Sequence, residues 1–256
     1  MKILLFGGTV EGRILAGRLA ESGHAVTCSV ATGYGRELIE PRSGLTVRTG
    51  RLEEEDMVRL MREGGFDLVV DATHPYAVQV SENIRHAAEE SGLRLCRLIR
   101  PEESAEGIVW AESPAEAARK LSESGRKALL TTGSKDLKAF TSVPDYREKL
   151  WVRILPSVES LTLAKEAGFP SSHIICMQGP FSVELNAAML RQIGAGVLVT
   201  KDSGRAGGFA EKAEAARQAG AELLVIRRPV EETGQTLEEL TRLLCPEEGE
   251  RQEGAE

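Results

Sequence analysis

The chain opens with Met1-Lys-Ile-Leu-Leu-Phe-Gly-Gly-Thr-Val-Glu-Gly-Arg13, and these thirteen residues carry the clearest indication of the fold class. Its apolar residues Ile3 to Phe6 predict a short strand that runs directly into a glycine turn, and a helix with small residues follows. Such a strand–turn–helix unit is where a dinucleotide pyrophosphate binds backbone N–H groups at a helix N-terminus. The stretch therefore predicts a dinucleotide-binding site built on the first strand.

The turn departs from the G-x-G-x-x-G pattern at one position. Gly7 and Gly12 match its first and third glycines, but Thr9 stands where the second glycine lets a pyrophosphate approach the backbone. We expect the Thr9 hydroxyl to bond a phosphate oxygen itself. The alternative is a tight turn between strand and helix that holds no ligand.

Composition and charge narrow the classes of protein. The chain has 256 residues and a net charge of −7, which argues against non-specific nucleic-acid binding. Residues 246–256 carry five glutamates against Arg251 alone and have no apolar periodicity, so we predict a disordered acidic tail there.

The sequence also argues against a membrane span, a secretory signal and a metal site. No run approaches the roughly 20 apolar residues of a membrane helix. The N-terminus is typical of a core strand rather than of a signal peptide. Four widely spaced cysteines show no C-x-x-C spacing, which favours reduced thiols in a cytoplasmic protein without bound metal.

Strand and helix patterns alternate along the chain and divide it into two halves. Short β-branched strands that alternate with helices are typical of parallel sheets covered on both faces. The polar segment 100–107, with Pro101 and Gly107, interrupts the alternation and predicts a linker. We therefore predict an α/β fold of two open Rossmann-like domains that face a cleft. We expect residues 1–100 to bind the dinucleotide and residues 108–245 to bind the substrate.

The end of the second predicted strand indicates which nicotinamide cofactor fits. NAD-binding proteins of this fold usually carry an acidic residue there, which bonds the ribose 2′-OH. Here Ser29, Thr32 and Arg36 occupy that region, and hydroxyls with a guanidinium attract a 2′-phosphate. We predict NADPH over NADH, with NADH still possible. The alternative is that Arg36 is only a solvated helix charge.

A polar segment, Asp71-Ala-Thr-His-Pro-Tyr-Ala77, follows the fourth predicted strand. Ligands of open α/β sheets bind at the carboxyl ends of strands, so this segment is a candidate for chemistry. His74 and Tyr76 are possible proton donors. The alternative is that Asp71 caps the following helix and His74 is structural.

The second half has several polar segments at predicted strand ends. They offer hydroxyls, backbone N–H groups or cations where an anion could bind. Together they predict a site for a polyanionic ligand, although ordinary capped loops remain the alternative. The segments are 131–136, 178–182 and 200–208, with Arg153 at a further strand end.

Taken together, these segments resemble the precorrin-6A reductase family of cobalamin biosynthesis. The resemblance covers roughly residues 1–228 and follows the order of the family. It rests on Phe6-Gly-Gly-Thr-Val-Glu-Gly-Arg13, Asp71-Ala-Thr-His-Pro-Tyr-Ala77, Thr131-Thr-Gly-Ser-Lys-Asp-Leu137, Arg153-Ile-Leu-Pro156, Gln178-Gly-Pro-Phe-Ser182 with Glu184 and Asn186, and Thr200-Lys-Asp-Ser-Gly204 with Gly208, Glu211 and Lys212.

The resemblance implies an NAD(P)H-dependent oxidoreductase that reduces one C=C bond of precorrin-6A, or of its cobalt-containing equivalent, to precorrin-6B. The substrate is then a tetrapyrrole rich in carboxylates, and neighbouring enzymes of the corrin pathway are candidate partners. The catalytic candidates, as proton donors, are His74 and Tyr76, and the resemblance leaves Lys201 and water open as alternatives. The candidate cofactor-binding residues are Gly7, Gly8, Thr9, Glu11, Gly12, Arg13, Thr32, Arg36 and Thr73. The candidate substrate-binding residues are Ser134, Lys135, Arg153, Lys201 and Ser203.

Two other functions remain open from the residues alone. One is a reductase of another small substrate, although the Tyr-x-x-x-Lys pair of short-chain reductases is missing. The other is an NADP-sensing regulatory protein without redox activity. That reading accounts for the first half but gives no reason for the polar strand ends of the second.

Overall fold

A computed structural model describes residues 1–100, 107–202, 204, 207–229 and 233–245. These residues form two compact units. The first contains residues 1–100 and 233–245, and the second contains the described residues between 107 and 229. The predicted acidic tail and most of the predicted linker lie outside the described residues.

The first unit is built on a parallel sheet whose central strand is the opening stretch of the chain. The strands are β1 (Lys2–Phe6), β2 (Ala25–Val30), β3 (Leu45–Thr49), β4 (Leu68–Asp71) and β5 (Leu95–Arg97). Their order is β3-β2-β1-β4-β5, and neighbouring strands are parallel throughout. This is the strand order of the dinucleotide-binding fold as far as its fifth strand.

Helices cover both faces of this sheet. They are α1 (Val10–Glu21), α2 (Gly33–Glu37), α3 (Glu54–Gly64), α4 (Val78–Ser91) and the last described helix, α10 (Leu237–Leu244). Ile3 and Leu5 pack in one apolar cluster with α1 and α10, while Leu4 and Phe6 pack in another with α3 and α4. This division follows from the alternation of side chains along a strand.

The position of α10 corrects the predicted boundary of the second domain at residue 245. Leu240 and Leu244 are buried in the same apolar cluster as Leu15 of α1, so the C-terminal helix belongs to the first unit. The segment before α10 also joins this unit, because Gln235 pairs with Leu98 in a parallel bridge. Sequence order alone assigned this helix to the second half, since α10 follows the last strand of that half.

The second unit is built on another parallel sheet. Its strands are β6 (Ile108–Ala111), β7 (Ala128–Leu130), β8 (Leu150–Ile154), β9 (Ile174–Cys176), β10 (Val197–Lys201) and β11 (Glu222–Ile226). The order is β6-β11-β10-β7-β8-β9, again with parallel neighbours. The sequence did not predict β6, whose partner strand, β11, lies far along the chain.

Five α-helices and two short 3₁₀ helices complete the described part of this unit. The α-helices are α5 (Pro114–Ser124), α6 (Tyr146–Lys149), α7 (Val158–Glu166), α8 (Val183–Ile193) and α9 (Phe209–Ala219), and the 3₁₀ helices are Leu137–Ser142 and Ser171–His173. The predicted fold class, α/β with Rossmann-like parallel sheets, is therefore confirmed. The predicted cleft between the domains stays a prediction.

Each sheet has one place where the chain reverses its direction of winding. In the first sheet β1 leads outward to β2, whereas its neighbour β4 leads outward to β5 on the other side. In the second sheet β7 leads to β8 and its neighbour β10 leads to β11. Ligands of open α/β sheets bind outside the carboxyl ends of the strands at such switch points.

Candidate active site

The glycine turn at the first switch point lies tightly against its neighbours. A Cβ atom on Gly7 would lie 3.0 Å from Cys28 Sγ, and one on Gly12 would lie 3.0 Å from Ala72 Cβ. Gly8 differs, because its φ is +143° and nothing lies within 4 Å of the place of its Cβ. The turn thus presents bare backbone to open space beside the first turn of α1, where helical N–H groups have no intrahelical partner.

Thr9 has a role in the turn itself. Its hydroxyl donates to the Ala72 carbonyl at 3.0 Å and accepts the Gly12 N–H at 3.0 Å, so it caps α1 and ties that helix to the end of β4. The hydroxyl proton is used within the protein, contrary to our expectation that it would bond a phosphate. The backbone N–H groups of the turn remain the candidates for that bond.

Two charged residues of α1 flank the turn. Glu11 forms an ion pair with Arg100, with 2.8 Å between Oε1 and Nε, and both side chains are largely buried. This pairing offsets the negative charge that Glu11 would otherwise place at an anion site. Burial raises the pKa of the Cys28 thiol to about 12, and the positive charge of Arg13 acts in the opposite direction.

The end of β2 carries the residues expected to select the cofactor. Thr32 caps α2 by accepting the Gly35 N–H at 3.0 Å. Arg36 lies exposed in the last turn of α2, and no ion pair to it is found among the described residues. The guanidinium is therefore a solvent-exposed charge near the end of β2.

A hydrogen-bonded network orders the segment after β4. Asp71, only 2% exposed, accepts the Thr73 N–H at 2.9 Å and the Thr73 hydroxyl at 2.7 Å. Arg97 of β5 binds the same carboxylate at 2.7 Å. Asp71 does not cap the following helix, because α4 has Ala77 as its N-cap and no side-chain capping bond. The Thr73 hydroxyl serves this network.

His74 and Tyr76 lie side by side above this network. The Tyr76 N–H donates to His74 Nδ1 at 3.3 Å, and their ring centroids are 5.5 Å apart. A neutral His74 that accepts at Nδ1 carries its proton on Nε2. Both side chains are half-buried, in keeping with groups that meet a ligand.

Sequence reasoning missed a cavity beside this segment. A space of about 610 Å³ lies in the first unit, where α4 passes the end of β5. Among its lining residues are Asp71, Ser81, Arg97 and Gln235. Arg97 had a sequence signal, because it is a charged residue inside the strand that the apolar pattern predicts over residues 93–98. Nothing in the sequence connects Gln235 with β4.

At the second switch point, a lysine and an aspartate join two loops. Lys201 ends β10 and its Nζ lies 2.5 Å from Asp136 Oδ2, in the segment after β7. Ser134 donates to Ser160 at 3.3 Å, and Lys135 is exposed. The predicted substrate residue Ser203 lies outside the described residues.

Arg153 lies inside this edge of the sheet rather than on its surface. It is 6% exposed, donates to Asn186 Oδ1 at 2.7 Å and stacks on Phe181 with 4.2 Å between Cζ and the ring centroid. Burial lowers its pKa to about 10. Asn186 is in turn held by the carbonyls of Phe181 and Ser182.

Lys212 is a second buried cation that the sequence analysis did not assign to the site. It is 9% exposed, and its Nζ donates to the Gly207 carbonyl at 2.7 Å. Burial, with the nearby charge of Arg153, lowers its pKa to about 8, although Glu211 acts in the opposite sense. A lysine in an amphipathic helix gives no sequence signal of this burial.

The described residues contain no group of three or more His, Cys, Asp or Glu side chains that could hold a metal ion. In the same part of the chain, no helix has the length and apolar character needed to cross a bilayer.

Comparison with known proteins points to one family. A family model described as precorrin-6x reductase CbiJ/CobK matches residues 2–244. The chain is 40% identical over 232 residues to the cobalt-precorrin-6A reductase of Salmonella typhimurium, covering 89% of this chain and 87% of that protein. It is 35% identical over 249 residues to the protein of the same name from Priestia megaterium, covering 94% and 97% respectively.

Two further comparisons agree. The chain is 36% identical over 234 residues to the precorrin-6A reductase of Rhodococcus erythropolis, covering 89% of each chain. A solved structure of CobK precorrin-6A reductase superimposes with a TM-score of 0.77 at 25% identity, over 96% of each chain.

Proposed function

The chain belongs to the precorrin-6x reductase family, and from this premise we propose that it reduces one C=C bond of precorrin-6A, or of cobalt-precorrin-6A, with NADPH as the hydride donor. Relatives named for either substrate match at similar identity, so both substrates stay in the proposal. The observation that carries the proposal is the glycine turn at the β1/β4 switch point, with bare backbone at Gly8 and the half-buried His74 nearby in the segment after β4.

The residues of the first unit fit a dinucleotide. Gly7 and Gly12 leave room only for backbone, and the open space at Gly8 suits a pyrophosphate bound by N–H groups. Arg36, with Thr32 and Arg13, would hold the 2′-phosphate that distinguishes NADPH from NADH. The cofactor supplies the hydride when bound.

The protein would supply the orientation and a proton. Hydride transfer depends chiefly on how the reacting atoms are held. The Asp71–Thr73–Arg97 network fixes the segment that carries His74, and the Tyr76 N–H fixes the His74 ring. We assign the proton to the imidazolium form of His74, which donates it from Nε2 and becomes neutral, with the Tyr76 hydroxyl as the second candidate.

The second unit would bind the carboxylates of the macrocycle. Its carboxyl edge carries Arg153 and Lys201 at strand ends, and Ser134 and Lys135 in the loop after β7. Lys201 already pairs with Asp136, so a substrate carboxylate would share this cation with an acid of the protein. Ser203, predicted from the sequence, completes the proposed set.

The test is to mix purified protein with NADPH and either precorrin-6A or cobalt-precorrin-6A, and to follow nicotinamide absorbance and product mass. We expect NADPH oxidation with a gain of two hydrogens in one of the substrates. Tight NADPH binding without oxidation on either substrate would contradict the proposal and favour a sensor or a reductase of another compound.

The same assay tests the proton donor. A His74→Asn variant should lose about 100-fold or more in kcat with little change in the KM for NADPH, because general acid catalysis is typically of that size. Unchanged turnover would remove His74 from the mechanism and leave Tyr76→Phe as the next variant.

We also place the reaction in the cytoplasm, with neighbouring corrin enzymes as candidate partners. The buried free thiols of Cys28 and Cys96 suit a reducing compartment. Reductase activity confined to the membrane or extracellular fraction of lysed cells would contradict this location.

A further inference from the structure

The second unit contains two buried cations without an acid partner at ion-pair distance. Arg153 and Lys212 are 6% and 9% exposed, and among the described residues no carboxylate lies within 4.0 Å of either cationic group. Their hydrogen bonds go to the neutral oxygens of Asn186 and Gly207. Glu211, the neighbour of Lys212 on α9, is the acid whose charge acts on Lys212.

Other buried arginines of the described chain are compensated differently. Arg97 pairs with Asp71 at 2.7 Å, Arg100 with Glu11 at 2.8 Å and Arg228 with Asp202 at 2.8 Å. Since a buried unpaired charge is costly, proteins normally pair it or use it to bind a ligand. Arg153 and Lys212 differ from these paired arginines, and a bound anion would compensate their charge.

We propose that Arg153 and Lys212 form one subsite for a single carboxylate arm of the tetrapyrrole substrate. This inference rests on the proposed function and adds a residue, Lys212, to it. Two cations and the acid of Glu211 leave one net positive charge, which a monoanionic carboxylate balances. A phosphate, with up to two negative charges, would overcompensate it.

The subsite is preorganised. Asn186, 1% exposed, holds one end of the Arg153 guanidinium while its own amide donates to the Phe181 and Ser182 carbonyls. The Phe181 ring supports the guanidinium plane. Lys212 lies in the first turn of α9, where the helix dipole also favours an anion.

Lys212 gives the subsite a signature in pH. Its pKa is lowered to about 8, first by burial and then by Arg153, while Glu211 opposes the shift. These are the charged groups of the described residues that act on its ammonium, from β8 and from α9 itself. Because a neutral lysine no longer attracts an anion, carboxylate binding should weaken as the pH rises through this value.

The experiment compares wild type, Lys212→Met and Lys212→Arg, with Lys127→Met as control. Lys127 is exposed at the opposite end of the sheet, just before β7, so its loss removes the same charge outside the subsite. Circular dichroism and thermal melting establish that each variant is folded. The KM and kcat for the substrate are measured from about pH 7 to about pH 9.5, across the range in which a shifted lysine titrates.

We expect Lys212→Met to raise the KM for the substrate about 30-fold, with kcat changed far less, because the carboxylate loses a buried partner. Lys212→Arg should bind the substrate about as well as the wild type. Its KM should not rise above pH 8, since arginine stays charged there. The subsite would be rejected if KM depended on pH in the same way in the wild type and in all variants. It would also be rejected if Lys212→Met lowered kcat without raising KM.

A second readout does not depend on turnover. Propionate should raise the melting temperature of the wild type more than that of Lys212→Met, with sodium chloride at equal ionic strength as reference. If the wild type oxidises NADPH with neither substrate, the proposed function fails, and the propionate result still decides the subsite. Equal propionate shifts in both proteins would reject it.

Discussion

The two units place functional groups at the same position of similar sheets but use different chemistry. At the first switch point the candidate binding surface is backbone, and nearby buried charges are paired, as in Asp71–Arg97 and Glu11–Arg100. In the second unit the carboxyl edge carries side chains, and no acid among the described residues lies at ion-pair distance from Arg153 or Lys212. Backbone N–H groups suit a pyrophosphate, whereas uncompensated cations suit carboxylates.

The largest expected effect comes from removing the acid of a buried ion pair in the first unit. Asp71→Asn leaves Arg97 buried without its partner, and we expect a loss of about 3–5 kcal/mol in the free energy of unfolding. Urea denaturation followed by circular dichroism measures it.

The control for Asp71→Asn is an exposed pair in the same unit. Glu89 bonds Arg85 on the surface of α4, and Glu89→Gln should cost about 0.5 kcal/mol or less. Equal losses in the two variants would mean that Asp71 is not a special buried charge. The double variant Asp71→Asn/Arg97→Met should recover part of the loss, because it leaves no unpaired cation.

A second prediction sharpens the comparison through pH. The pKa of Lys212 is about 8 in the folded chain against an ordinary 10.5, so the unfolded chain binds more protons between these values. Stability must then rise with pH, by up to about 1.4 kcal/mol per pH unit in that window. This gain in the free energy of unfolding begins near pH 8 and is complete above about pH 10.5.

The measurement is the difference in unfolding free energy between wild type and Lys212→Met as a function of pH. Titration of other groups, such as the buried Cys28 thiol, cancels in this difference. Between pH 8 and 10.5 we expect the free energy of unfolding of the wild type to rise relative to that of the variant. A flat difference would show that Lys212 is solvated or compensated, as the first unit's cations are.

A third prediction concerns the backbone surface of the first unit. Gly12→Ala places a Cβ atom 3.0 Å from Ala72 Cβ and 3.3 Å from the Ala72 carbonyl. This overpacking should cost about 1–3 kcal/mol and weaken NADPH binding, because α1 must move away from β4. Thermal melting and NADPH titration check both effects.

Gly17 lies one and a half turns further along α1 and provides the matched control. The three heavy atoms nearest to a Cβ atom there all belong to the flexible side chain of Arg42, at 3.3 Å or more. Gly17→Ala should therefore stay within about 1 kcal/mol of the wild type and leave the NADPH affinity unchanged. Similar NADPH affinity in both variants would contradict close packing at the turn as a requirement for binding.

The smallest expected effect tests the one exposed cation assigned to the cofactor. Arg36→Ala should lower the preference for NADPH over NADH about tenfold, the size of one charge-assisted contact. The ratio of kcat/KM for the two cofactors measures this preference. Arg59→Ala, on the exposed face of α3, should leave it unchanged, and an unchanged ratio in Arg36→Ala would remove Arg36 from the cofactor site.

Much of the fold was readable from the sequence because its signals are local. Strand β1, the glycine turn and the helix after it follow the prediction, because an apolar run that ends at a turn is a local signal. The short strand β6 was missed. Its pairing with β11 joins residues more than a hundred positions apart, which no local pattern reports.

The candidate site divides along the same line. Its strand-end position followed from the polar residues after each apolar run, as for His74 and Arg153. The hydrogen bonds did not follow, because Thr9 donates to Ala72 and Asp71 binds Arg97 across 63 and 26 positions of the chain. Lys212 was named only as part of the family motif and was not assigned to the site. Its burial depends on the residues that pack around α9, which the sequence does not reveal.

The fold class, the glycine turn after β1 and the resemblance to the reductase family could be read from the sequence alone, because these depend on short-range periodicity and on the order of motifs. Three features are visible only in the folded chain. Helix α10 belongs to the first unit, the Thr9 hydroxyl donates to the Ala72 carbonyl within the turn, and some buried cations have an acid partner while others do not. Packing and charge compensation are set by residues distant in the chain, so they exist only once the sheets have formed.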